Sequence, residues 1–145
     1  MDSPVGNLRI DCAEGYITGV SRTVMPVCEP DTPLLRECVR QLRLYFGGQL
    51  TGFDLPIRVQ GTPFRMRVWA ELRKIPYGQT ISYGELARRI GSPGASRAVG
   101  GANHHNPVCI LIPCHRVIGA DGSLTGYGEG MDMKEALLRL EGALM

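Results

Sequence analysis

Thr32-Pro33 and Thr62-Pro63 are the same helix-opening device used twice, and they constrain this chain more than any other local signal. In each pair the threonine is a good N-cap. The proline sits at the first helical position, where a missing amide proton costs nothing. After the first pair, Leu34 or Leu35, Cys38, Leu42 and Tyr45 recur every three to four residues. That spacing predicts one buried stripe on a helix over 32–46, which Gly47-Gly48 ends. After the second pair, Phe64, Val68 and Leu72 share a face, and Pro76 stops the helix near Ile75. The polar stretch with Gly and Pro leading to Gly61 reads as a boundary connection. Two parts follow: an amino-terminal part over 1–58 and a carboxy-terminal part over 61–145.

Ahead of the first helix, Leu8 and Ile10 alternate with polar residues, and Gly15 turns the chain toward Ile17 and Val20. That pattern predicts short strands over 3–25. In the second part, Ser82 and Glu85 form a capping box before Leu86, Ala87 and Ile90, and Gly91 closes the helix. Ser92-Pro93 is expected to start the next helix, running to about Asn103. Two short helices joined by a tight turn make a helix-turn-helix. Val108 to Ile112 reads as an apolar extended segment delivering Pro113-Cys114-His115. Gly119, Gly122, Gly126, Gly128 and Gly130 then mark a loop. Asp132 and Glu135 offer a cap for a last helix with Met133, Ala136, Leu137 and Leu140 on its apolar face, and Glu141 follows.

A chain of 145 residues suits one average domain or two small ones sharing a core. No apolar run approaches the roughly 20 residues of a membrane span, and no secretory pattern opens the chain. A cytoplasmic location is expected, or a nuclear one in a nucleated cell. Residues 1–60 carry six arginines against seven acids, whereas residues 61–145 carry ten Lys/Arg against seven acids. The second part is therefore the one suited to nucleic acid, with modest help from long-range field. Five cysteines (Cys12, Cys28, Cys38, Cys109, Cys114) form no CxxC pair, and an odd count leaves at least one free thiol. A zinc site is not expected: His104 and His105 are adjacent, and Cys109 and Cys114 lack a usual ligand spacing.

Two stretches carry chemistry. Gly94 to Asn103 holds almost only small side chains, although Gly100 and Gly101 each cost a helix about 1 kcal/mol against alanine. Either another helix packs closely there, or the helix docks into a nucleic-acid groove. Arg97 is the one long group. It suits a phosphate contact, or it fills the gap left when a nucleotide leaves the stack. The second stretch is Ile112 to Val117, where a thiol adjoins an imidazole. Alone, Cys114 would more often be a small buried hydrophobe. With His115 to take its proton, directly or through water, it becomes a candidate nucleophile. Glu141 could orient His115 as the third member of a triad, or be a solvated acid at a helix end.

The run Pro113-Cys114-His115-Arg116-Val117, preceded by Arg97 to Asn103 and by Asn106-Pro107, resembles the O6-alkylguanine-DNA alkyltransferase family. So do Gly61-Thr62-Pro63-Phe64, Ile75 to Thr80, Ser82-Tyr83 and Leu124-Thr125-Gly126-Tyr127. The likeness is dense over 61–142 and looser over 3–56, where it includes Ser3-Pro4-Val5-Gly6 and Tyr45-Phe46. It implies an α+β protein with a small ribonuclease-H-like sheet domain and a mostly helical domain bearing the helix-turn-helix. It implies direct repair of double-stranded DNA, in which an alkyl group moves irreversibly from O6 of guanine, secondarily O4 of thymine, to Cys114. By resemblance, His115 with a bound water takes the thiol proton, Glu141 orients His115, Asn106 braces the turn, and Tyr83 donates to the base ring nitrogen. Arg97 replaces the flipped nucleotide from the minor groove, and Ser96, Ala98, Gly101 and Ala102 face DNA. Val117, Tyr127, Gly128 and Met131 line the base pocket. No cofactor, no metal and no membrane are expected, the protein acts as a monomer, and each molecule repairs one lesion.

Two departures stand out. Some relatives have serine where this chain has Gly128, which predicts a looser loop that admits larger alkyl groups. Some carry a structural zinc in the amino-terminal domain, whose ligand set is incomplete here. Three rivals remain: a sensor of alkylated guanine, a cysteine hydrolase and a transcription factor. Sensors of this family replace the cysteine, and a hydrolase leaves the small-residue helix unexplained. A regulator would need base-reading side chains that this helix lacks. No second cysteine beside Cys114 is expected from the pattern, so no turnover device is either.

Overall fold

The computed structural model describes residues 1–125 and 127–144; Gly126 of the glycine-marked loop and Met145 lie outside them. Strands β1 (Leu8–Ala13) and β2 (Tyr16–Arg22) form an antiparallel hairpin, with a register irregularity at Asp11/Cys12. The turn needs two left-handed residues in succession, Glu14 and Gly15. Helix α1 (Pro33–Phe46) packs on this hairpin, and Thr32 caps it by accepting from the Leu35 amide at 3.1 Å. Cys38, Leu42 and Tyr45 are buried as the spacing predicts.

Helix α2 (Pro63–Leu72) repeats the device, with Thr62 accepting from the Arg65 amide. Gly61 is required just before it, because a Cβ there would sit 2.7 Å from the Trp69 ring. Strand β3 (Ile81–Ser82) leads into α3 (Tyr83–Arg89), and α4 (Ser96–His104) packs on both α2 and α3. Trp69 Nε1 donates to the Ala102 carbonyl at 2.8 Å, pinning α4 to α2. β3 pairs in parallel with β4 (Val117–Ile118), through Ile81 with Val117 and Ser82 with Ile118. That short ladder brings the start of the helix-turn-helix against the Cys114 run. Helix α5 (Met131–Leu140) closes the chain onto the turn at Cys114–Arg116.

Four expectations are corrected. The second helix of the pair starts at Ser96 instead of Ser92-Pro93: Gly94 takes φ +89°, so 92–95 is a turn. Only half of the Ser82–Glu85 capping box forms. Ser82 Oγ accepts from the Glu85 amide, while the Glu85 carboxylate turns to Arg88 and Arg89. Val108–Ile112 is a compact turn instead of an extended segment. Val108 alone bridges to Val20, after which Ile110 takes φ +72° and the Leu111 amide reaches the Cys109 carbonyl at 2.8 Å. A β-branched residue in that region is a strained outlier, held by the surrounding structure. Finally, α5 is preceded by Gly130 rather than capped by Asp132, and its buried face is Met133, Lys134, Leu137 and Leu138. Ala136 is exposed. Asp132 instead pairs with Arg22 of β2, which also donates its backbone amide to Glu129.

The two parts share one core. Val20 exchanges hydrogen bonds with Pro107 and Cys109, and Ile17 does so with Pro56 and Arg58. The amino-terminal hairpin therefore continues directly into the turn that carries Cys114. No described helix is long and apolar enough to cross a membrane.

Candidate active site

The site grows from the turn at 106–116. The Asn106 side chain accepts from the Val108 amide at 3.0 Å and donates to the Ile112 carbonyl at 2.8 Å, spanning the strained turn. Pro113 then takes φ −80° and ψ 65°, an inverse γ-turn closed by the Cys114 amide on the Ile112 carbonyl. One 3-10 turn, Cys114–Arg116, follows and points three functional side chains inward. Cys114 is 3% exposed, His115 0% and Arg116 6%.

Glu141 lies just past the end of α5, and its carboxylate receives donors from four directions. Oε2 accepts from His115 Nε2 at 2.7 Å, Tyr45 Oη at 2.5 Å and Arg116 Nη2 at 3.0 Å. Oε1 accepts from Arg116 Nε at 2.8 Å and the Gly78 amide at 3.3 Å. Burial by itself would raise this carboxyl's pKa. The hydrogen bonds from His115, Arg116 and Tyr45 outweigh it and hold Glu141 well below the usual carboxylate range. The group is therefore an anion, and the reading of Glu141 as a solvated helix-end acid is overturned.

An anionic acceptor at Nε2 decides the imidazole tautomer. Nε2 carries the proton, so a neutral His115 presents its lone pair at Nδ1. Burial pushes the His115 pKa below its ordinary value, Glu141 opposes this, and Arg116 and Lys134 add to the lowering. His115 is thus neutral near pH 7 and able to accept. Nδ1 is buried and has no hydrogen-bond partner among the described residues.

The thiol departs from expectation. Burial pushes the Cys114 pKa up to about 11, although the Asn106 amide and the Lys134 charge both pull it down. Burial therefore favours the neutral thiol in the DNA-free protein. A second cysteine does lie nearby, against expectation. Cys109 is buried in the same core, and its pKa is raised first by burial and then by the charge of Cys114.

Tyr83 and Lys134 meet at one carbonyl. Tyr83 Oη donates to Thr125 O at 2.5 Å, and Lys134 Nζ donates to the same oxygen at 2.7 Å and to Val117 O at 2.5 Å. Lys134 is 0% exposed, and burial lowers its pKa to about 8. Sequence reasoning missed this lysine, because one charge on an apolar-patterned helix gives no periodic signal. It also missed Arg116 and Asn103, whose side-chain amide donates to the Cys114 carbonyl at 3.2 Å. Of the expected pocket residues, Val117 and Tyr127 are buried and Met131 is 38% exposed. Gly128 is exposed, yet a Cβ there would lie 2.6 Å from the His104 carbonyl.

On α4, Ser96, Arg97 and Ala98 are exposed and Gly101 is half-buried, an outward face. Ala102, expected on that face, is 2% exposed and turns into the core against Trp69. A Cβ on Gly101 would meet nothing within 4 Å, and one on Gly100 only the Tyr83 ring at 3.9 Å. Packing inside the protein therefore does not require these glycines. No group of three or more His, Cys, Asp or Glu suited to a metal occurs among the described residues.

A buried cysteine next in sequence to an imidazole that is paired with an anionic carboxylate, beside an outward helix-turn-helix, fits the class of proteins that bring nucleophilic chemistry to a nucleic-acid surface. Residues 63–143 match the model of the 6-O-methylguanine DNA methyltransferase DNA binding domain, and residues 1–59 match that of its ribonuclease-like domain. The chain belongs to the 6-O-methylguanine DNA methyltransferase family. A methylated-DNA–protein-cysteine methyltransferase of Mycobacterium tuberculosis is 50% identical over 147 residues, covering 97% of this chain and 89% of that protein. The one from Methanosarcina barkeri is 46% identical over 148 residues, covering 97% and 94%. The crystal structure of Mycobacterium tuberculosis OGT in complex with DNA superposes with a TM-score of 0.90 at 49% identity, covering 99% of this chain and 91% of that one. Atl1 of S. pombe, in complex with damaged DNA containing O6-carboxymethylguanine, gives 0.52 at 33% identity, covering 57% and 79%.

Proposed function

We propose that this protein repairs double-stranded DNA directly, as a methylated-DNA–protein-cysteine methyltransferase that takes an alkyl group from O6 of guanine, and secondarily O4 of thymine, onto Cys114. The observation that carries the reading is the buried His115–Glu141 pair at 2.7 Å, which leaves a basic Nδ1 on the residue next to a buried thiol. His115 takes the thiol proton through a bound water, and Glu141 stabilises the imidazolium that results. The Cys114 thiolate attacks the alkyl carbon, and the carbon–O6 bond breaks as the carbon–sulfur bond forms. Tyr83 donates a proton toward the ring nitrogen of the departing guanine, and Lys134, 5.7 Å from the Tyr83 ring centroid, balances charge. The product thioether is inert, so each molecule acts once.

Access to DNA follows from α4. Its exposed small residues allow close docking, and Arg97 is the side chain able to enter the duplex from the minor groove and replace a flipped nucleotide. Because Cys114 is 3% exposed, base entry requires the groups that cover it to move, with Val117, Tyr127, Gly128 and Met131 then around the purine. The protein acts as a monomer in the cytoplasm, or in the nucleus of a nucleated cell, without cofactor or metal. Mass spectrometry after incubation with a duplex containing O6-methylguanine tests this. One methyl on Cys114, saturating at one per protein, is expected; turnover, or binding with the thiol unmodified, rejects it in favour of a hydrolase or a sensor. Arg97→Ala should slow repair of the duplex about tenfold or more and leave reaction with free O6-benzylguanine unchanged.

A further inference from the structure

Tyr45 belongs to the amino-terminal domain, on α1, yet its hydroxyl ends on the carboxylate of the relay. Its ring is fully buried and packed against Phe46, Phe53 and Tyr77, with centroids 5.4, 5.3 and 6.2 Å away. Tyr45 Oη donates to Glu141 Oε2 at 2.5 Å, the oxygen that also accepts from His115 Nε2 at 2.7 Å. Arg116 holds both carboxylate oxygens, and Gly78 adds a weaker donor on Oε1.

We propose that Tyr45 is a positioning residue for alkyl transfer: by sharing Glu141 Oε2 with His115 it fixes the carboxylate and limits how basic the imidazole becomes. The inference rests on the alkyl-transfer reading of the same site. An oxygen already polarised by one short O–H donor offers less charge to a second donor, and burial magnifies that competition. Without the Tyr45 hydroxyl, the full charge of Oε2 falls on His115 Nε2. The imidazolium is then favoured in the resting protein, and the Nδ1 lone pair is lost before substrate arrives. The ionisable groups facing the imidazole are Glu141 and Arg116 directly and Lys134 from α5, with Cys114 adjacent and Tyr45 and Tyr77 behind the carboxylate. Among these, Tyr45 comes from the amino-terminal domain, so that domain supplies part of the relay as well as a scaffold. Tyr45 itself stays protonated, since burial and then the Glu141 charge push its pKa far up.

The test uses the full chain with Tyr45→Phe, which keeps the ring and removes one oxygen. The His115 nitrogen-15 titration midpoint should rise by about half a pH unit or more, and the acid limb of the single-turnover rate should rise with it. On the acid limb the rate should fall by up to about threefold for a half-unit shift, with a smaller loss on the plateau. Phe53→Leu disturbs the same aromatic packing without touching the hydroxyl and should leave the midpoint where it was. A fluorotyrosine at position 45, a stronger donor, should move the midpoint down. An unchanged midpoint in Tyr45→Phe, or an equal shift in Phe53→Leu, overturns the proposal and leaves Tyr45 a packing residue. The titration needs no DNA, so a failure of methyl uptake by the unmutated protein would count against alkyl transfer and not against the coupling.

Discussion

His115 Nε2 and Glu141 Oε2 lie 2.7 Å apart with both side chains sealed from solvent, one from the turn at Cys114–Arg116 and the other from just past the end of α5. This contact selects the tautomer that leaves Nδ1 basic. Glu141 is also the counter-charge of a buried Arg116, 2.8 Å away.

Glu141→Gln should therefore fail in two ways. Alkyl transfer should drop on the order of 100-fold or more, as expected when a base loses the group that orients it. Removing one partner of a buried pair leaves Arg116 uncompensated, at about 3–5 kcal/mol of stability. Single-turnover kinetics and denaturant melts read the two effects separately. A stable variant with full activity would contradict both.

Acid should weaken the fold through the same carboxylate. The folded pKa of Glu141 is depressed, so its contribution is fully present above the unfolded value, near 4.5, and is lost as pH falls below it. Denaturation midpoints should decline from about pH 4.5 downward. The decline should be shallower in Glu141→Gln. Parallel curves for the two proteins would show that Glu141 is not the group responsible.

The resting thiol should be sluggish. With its pKa pushed up to about 11, Cys114 in DNA-free protein should react slowly with iodoacetamide at pH 7 and faster as pH rises toward 11. Peptide mass mapping of modified Cys114 gives the profile. A plateau below pH 8 would mean that the thiolate exists before DNA binds.

Gly101→Ala should change stability and DNA affinity in opposite directions. The new methyl meets nothing within 4 Å, so the helix should gain about 1 kcal/mol. The same methyl stands on the face proposed to dock, and duplex affinity should fall by a measurable factor. A gain in stability with unchanged affinity would remove Gly101 from the interface.

At Gly128, size and hydroxyl must be separated. A Cβ there would lie 2.6 Å from the His104 carbonyl, so any side chain requires the loop or the end of α4 to shift. Gly128→Ala and Gly128→Ser should both slow transfer and cost about 1–3 kcal/mol. If the absent hydroxyl governs alkyl size, only Gly128→Ser should change the ratio of benzyl to methyl removal. Equal ratios in both variants would assign the selectivity to bulk.

Much of this protein was legible locally. Capping threonines, helix-stopping glycines and the three-to-four spacing of Cys38, Leu42 and Tyr45 act within one or two turns, so both long helices and the hairpin could be read in order. The Pro113-Cys114-His115 run was legible as candidate chemistry because the thiol and the imidazole are adjacent in sequence, whereas Glu141 was read either as a partner of His115 or as a solvated acid. The start of α4 was not legible, because the left-handed Gly94 delays the helix beyond a Ser-Pro pair that looks like a cap. Nor was the turn at Ile110, where tertiary packing holds a branched residue in a conformation its own sterics oppose.

The pairings of charge depended on the whole fold. Arg116, Lys134 and Tyr45 carry no local sign of their partners, which are distant in sequence or arrive through a loop. Ala102 was expected to face DNA by resemblance and is buried, on the side of α4 whose backbone Trp69 holds. Helix periodicity and side-chain chemistry are properties of short segments. Ionisation state and tautomer depend on burial and on which donors surround an atom, and those are settled only when the two domains close on one core.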